Sequence, residues 1–82
     1  MILYPNPTHE NIYIDMRDFA GKTGLVEIFN GLGQKMTERN YLSFPSAPAV
    51  FKVNDFTNGM HTVSIKVKNY KRIIKKFVVN NL

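Results

Sequence analysis

The sequence contains no cysteine, so neither a disulfide nor a thiolate zinc site can reinforce its core. Its only histidines are His9 and His61, and Ser43, Ser46 and Ser64 lie in no strand-to-helix elbow, which argues against a hydrolase nucleophile. No apolar run approaches the ~20 residues of a membrane-spanning helix. A basic leader followed by an apolar stretch, as in a signal peptide, is also missing. Acidic residues are absent from one region: residues 60–82 hold six Lys or Arg and no Asp or Glu, whereas residues 1–59 hold five basic and six acidic side chains.

What remains is enough for one small domain. Eighty-two residues fall below the roughly 100–200 residues typical of a domain, so a single core is expected. The net charge of +5 is a property of the C-terminal block. Such a block attracts an acidic partner, or it is simply the solvated face of a strand.

Apolar residues recur with a period of two. In "NIYIDM", Ile12, Ile14 and Met16 share one face, which predicts the first strand. "GLVEIFN" places Val26 and Ile28 opposite Leu25, Glu27 and Phe29, the pattern of a more central strand. "NGLGQ" reads as a hairpin turn and "QKMTERNYL" as a more polar returning strand. "FPSAP" breaks the pattern, because Pro45 and Pro48 cannot donate to a ladder. "AVFKVNDF" alternates Phe51 and Val53 against Lys52 and Asn54, and Asn58-Gly59 marks a turn.

The cleanest alternation is "MHTVSIKVK", with Val63, Ile65 and Val67 inward. "NYKR" turns the chain and "IIKKFVV" returns. In that last segment Lys75 shares a parity with Ile73, Phe77 and Val79; the expectation is that Phe77 and Val79 face inward, with a bulge near Lys75 reconciling the two halves. Six or seven short strands and no sustained helical period predict an all-β antiparallel sandwich.

No chemistry emerges from the polar residues. "HENIY" lacks the second histidine of a zinc-protease helix. His9, Glu10, Asp15 and Asp18 match no calcium loop, so solvated acids on a sheet face are the simpler reading and no metal is expected. "GLG" lacks the context of a phosphate-binding loop. Lys66, Lys68, Lys71, Arg72, Lys75 and Lys76 surround Tyr70, but one exposed aromatic is a poor stacking platform, and nucleic-acid binding is the weaker reading of this basic hairpin. Lysine also discourages pairing between strand edges. Tyr13, Tyr41 and Tyr70 leave open an Ig-like adhesion or carbohydrate-binding module.

Taken in order, "YPNP", "NGLGQK", "VNDFTNGMHTVSI" and "KKFVV" resemble the signatures of the type IX secretion system C-terminal sorting domain, the Por secretion tail. Tyr4, Pro5, Asn6 and Pro7 match its opening motif. Asn30, Gly33 and Gln34 match its turn, and Phe56 and Gly59 match its apolar and glycine positions, with His61 where tyrosine is usual. Lys75, Lys76, Phe77, Val78 and Val79 match the closing segment.

The resemblance implies a seven-stranded Ig-like sandwich without a cofactor or catalytic role. It implies an N-terminal cargo, export through the outer-membrane translocon, and removal by a sortase at the cell surface or release outside, with no membrane insertion by the domain. Residues 1–3 are then the remnant of a linker and residues 4–82 the sorting domain. Tyr4 is expected to be an apolar anchor. The terminal hairpin, with its strand edge at residues 73–79, is expected to meet the secretion machinery by strand addition and electrostatic steering.

Overall fold

The computed structural model describes residues 1–81. Seven strands follow one another: β1 (Ile2–Tyr4), β2 (Asn11–Asp15), β3 (Gly24–Phe29), β4 (Lys35–Tyr41), β5 (Ala49–Lys52), β6 (Gly59–Val67) and β7 (Ile73–Val79). A single 3-10 turn at Arg17–Phe19 joins β2 to the loop before β3. The strands form two antiparallel sheets, one of three in the order β1-β2-β5 and one of four in the order β4-β3-β6-β7. The arrangement is a β-sandwich.

Alternation explains why the two sheets meet as they do. Ile12 and Ile14 of β2 and Phe51 of β5 are buried on one side, with Val26 and Ile28 of β3, Val63, Ile65 and Val67 of β6, and Phe77 and Val79 of β7 on the other. Met16, Phe44, Val53 and Phe56 seal the core from the loops. Each fully buried aliphatic or aromatic side chain contributes on the order of 1.5–3 kcal/mol by leaving water, which is how so short a chain holds together.

Three expectations need correction. A strand precedes Asn11, because Ile2, Leu3 and Tyr4 pair with Asp15, Ile14 and Tyr13. Ile2 and Leu3 are therefore part of a sheet, and Leu3 packs against the core. Tyr4, expected to be an apolar anchor, makes its apolar contact outside the core: it is 41% exposed and stacks on Tyr13 with ring centroids 5.3 Å apart, a cross-strand aromatic pair on the outer face.

The third concerns β7. Its register against β6 runs without interruption from Gly59↔Val79 to Ile65↔Ile73, so there is no bulge at Lys75. Phe77 and Val79 do face inward. Lys75 keeps their parity but stays exposed, because β7 is the edge of the larger sheet and a lysine stem there can run past the rim to water. An inward-pointing charge on an edge strand is also a known guard against unwanted pairing.

Candidate functional site

The β6–β7 hairpin carries the excess charge, and its turn is well supported. The Tyr70 amide donates to the Val67 carbonyl at 2.9 Å, Asn69 adopts a positive φ of 69°, and the Lys22 ammonium lies 4.9 Å from the centre of the Tyr70 ring. Lys66 approaches Glu27 at 3.6 Å. Among the described residues no carboxylate pairs with Lys68, Lys71, Arg72, Lys75 or Lys76. These five cations are left to solvent or a partner.

Glu27 is a buried acid within β3. It lies on the outer face of β3, yet its side chain is only 8% exposed because Lys35 at 3.2 Å and Lys66 at 3.6 Å cover it. Burial alone would raise the Glu27 carboxyl, but the hydrogen bond from Lys35 and the charges of Lys66 and Lys35 outweigh it and hold the group below its ordinary value. Lys35 is raised in turn, first by Glu38 and then by Glu27. Asp15 is held low by the hydrogen bonds from Arg17, whose terminal nitrogen donates at 2.6 Å.

The opening motif is built into the end of the fold. Both the Tyr4–Pro5 and Asn6–Pro7 bonds are cis. The Asn6 Oδ1 accepts from the Val78 amide at 2.9 Å, the Thr8 amide donates to the Val78 carbonyl at 2.9 Å, and the Asn80 amide donates to the Thr8 carbonyl at 2.8 Å. Thr8 and Val79 form a parallel bridge, and Thr8 is buried. Residues 6–8 thus lie along the end of β7, joined to it by the Asn6 side chain and a single bridge at Thr8. Pro5 and Pro7 carry no amide hydrogen, so the Asn6 side chain and the Thr8 backbone make these bonds.

The remaining signatures gather nearby. Asn30 organises its turn by accepting the Leu32 and Gln34 amides, each at 2.9 Å, on Oδ1 and by donating from Nδ2 to Gln34 Oε1 at 2.8 Å, while Gly33 turns the chain at φ 82°. This turn lines a shallow groove with Phe29, Met60, Thr62 and Lys76. Phe56 stacks on His61 at 5.3 Å, and His61 stacks on Phe77 at 5.5 Å. Asn81 donates to Asn58 Oδ1 at 2.7 Å and to the Phe56 carbonyl at 2.9 Å, closing the loop over that stack. Four signatures spread over the sequence converge on the same end of the hairpin.

A family model described as a secretion system C-terminal sorting domain matches residues 2–80. The chain belongs to this family. No curated protein matches the chain at a significant level. The sorting domain is thus a C-terminal sorting signal of the type IX secretion system, and it acts through contact with that machinery. Export by this route follows from the family, and among the described residues no helix is long and apolar enough to cross a membrane.

In the sorting domain the residues singled out in the sequence differ in placement. Phe77 and Val79 are core residues, 0% and 1% exposed, and Val78 is tied to Asn6 and Thr8 through its backbone. Lys75 and Lys76 alone of the closing segment are exposed side chains. Asp15 is bound to Arg17, and Asp18 lies 3.7 Å from the N-terminal amine, while His9 and Glu10 are exposed in the loop before β2. The tyrosines are engaged separately: Tyr13 with Tyr4, Tyr41 with Phe44, and Tyr70 with Phe19. Thr8, Asn80 and Asn81 escaped sequence reading, since nothing local marks a residue whose partner lies at the other end of the chain.

Proposed function

We propose that the secretion machinery reads this sorting domain at its terminal hairpin, with Lys75 and Lys76 as the contacting side chains, and that a sortase then removes the domain as the cargo reaches the cell surface. The observation that supports this reading is the pair itself. Lys75 and Lys76 are exposed on opposite faces of an edge strand, and neither has a carboxylate partner among the described residues. Positive charge on both faces of one strand steers an acidic surface toward its edge, because complementary potentials raise encounter rates and reject like-charged partners. Phe77, Val78 and Val79 serve the site by fixing where that edge lies.

A reporter protein fused ahead of the domain tests the reading in a host with the secretion system. Deleting residues 73–82 should abolish export, but that change also removes a strand. The Lys75→Glu, Lys76→Glu double variant leaves Phe77 and Val79 in the core; it should fold with unchanged circular dichroism and retain the reporter inside the cell. Normal surface delivery of that folded variant would exclude the two lysines from recognition. Accumulation of uncleaved fusion at the surface of a sortase-deficient host, against processed cargo in the parent, tests removal.

A further inference from the structure

The clasp at Asn6–Thr8 divides the β7 edge into a closed half and an open half. Val78 directs both its amide and its carbonyl away from β6, since both are bonded by residues 6 and 8. In a strand the backbone groups of alternate residues point the same way, so Lys76 and Ile74 also direct their amides and carbonyls away from β6. Among the described residues no named strand lies on that side of β7, and the segment at residues 6–8 is bonded only to its far end. The open half is therefore short, running from Ile73 to Lys76, and it begins where the added segment at residues 6–8 ends.

Its side chains define what can dock. A strand laid along this edge meets Ile74 and Lys76 on the outer face and Lys75 on the inner one, with Arg72 and Lys71 just beyond in the turn. Ile74 is 49% exposed, an apolar contact between cations. A second β7 is a poor occupant, because two such edges side by side bring lysines together on both faces. An extended segment with acidic residues flanking an apolar one satisfies both the backbone and the charges.

We infer that the open half of β7, at Ile74 and Lys76, is a docking edge for an extended acidic segment of a partner protein, which adds as a strand next to the bridged segment at residues 6–8. This rests on the reading that the machinery recognises the terminal hairpin, and it specifies how: through the Ile74 and Lys76 backbone, with Lys75 and Lys76 selecting acidic sequence.

Backbone and charge are separable by mutation. Ile74→Pro removes one outward amide hydrogen and leaves the β6–β7 ladder bonds in place, since proline is tolerated on the free side of an edge strand. Ile74→Thr shortens the same side chain and keeps the amide. In the reporter assay the folded Ile74→Pro variant should lose about tenfold in export while Ile74→Thr matches the parent, the loss expected for one main-chain bond to a partner of about 1.4 kcal/mol. Equal export of folded Ile74→Pro and Ile74→Thr overturns strand addition, whereas the lysine reversal above tests recognition independently.

Amide hydrogen exchange on the unaltered chain asks the same question without a mutation. A capped octapeptide alternating glutamate and valine should slow exchange at Ile74 and Lys76 by about tenfold, and the matching lysine–valine peptide should not. Unchanged exchange at those two amides, or equal protection by both peptides, overturns the proposal.

Discussion

The side-chain oxygen of Asn6 accepts the backbone amide of Val78 across 72 positions of sequence, at 2.9 Å. With the two bonds of Thr8, this contact holds the start of the domain against its last strand. A loop of that span is costly to close, so the contact must be sustained by the folded sheets on either side of it. Asn6→Ala should lower stability by about 1 kcal/mol in urea unfolding and accelerate amide exchange at Val78, whereas Asn6→Asp, which keeps an acceptor, should restore the protection. Val78 protection unaffected by Asn6→Ala would show that the Thr8 bonds suffice.

Gly59 opens β6 at φ 119°, a conformation that side chains resist, although a Cβ there would meet nothing within 4 Å. The cost of a substitution is therefore conformational and not steric. Gly59→Val should destabilise by about 1–3 kcal/mol. Thermal unfolding reads this as a fall of roughly 4–8 °C for each kcal/mol, and an unchanged midpoint would refute the backbone role.

His61 does the work of an aromatic in the core. Its ring is sandwiched between Phe56 and Phe77, is 1% exposed, and is held by a 3.1 Å contact from Nδ1 to the Gly59 carbonyl. His61→Ala opens a cavity between two phenylalanines and should cost about 2–4 kcal/mol by denaturant unfolding. His61→Phe keeps the stack and should retain most of that stability.

Acid should weaken the domain through two carboxylates. Asp15 and Glu27 both titrate below their ordinary values of 3.8 and 4.5 in the folded chain. A lowered folded pKa means that the unfolded chain binds the proton more readily, so the stabilisation is complete above the unfolded values and is lost as pH falls through the folded ones. The melting temperature should drop between about pH 5 and about pH 3, and Glu27→Gln should flatten that slope. An identical pH dependence in the variant would remove Glu27 from this role.

Alternation made the core strands legible: Ile12, Ile14, Val26, Ile28, Val63, Ile65, Phe77 and Val79 are buried as their parity predicts. Parity cannot say where a sheet ends, which is why Lys75 looked like a register error. Its exposure comes from an edge, a property of the neighbouring strands. Glu27 sat in a segment apolar on both faces, a signal of burial, but its lysine partners come from β4 and β6 and have no fixed spacing from it. Gly24 carried no signal at all, although a Cβ there would collide with the Lys66 carbonyl and stand 2.6 Å from the Phe44 ring. β1 was hidden because its three residues are too few to display a period.

The clasp also has a direction. Residues 6–8 run parallel to β7, joined at the Thr8–Val79 bridge. Tension between the start and the end of the domain drags these parallel segments past each other lengthwise, so the bonds of Asn6, Thr8 and Asn80 share the load at once and do not peel open in turn. A sandwich fastened in this way resists being pulled apart by its ends, while leaving the free half of its last strand untouched.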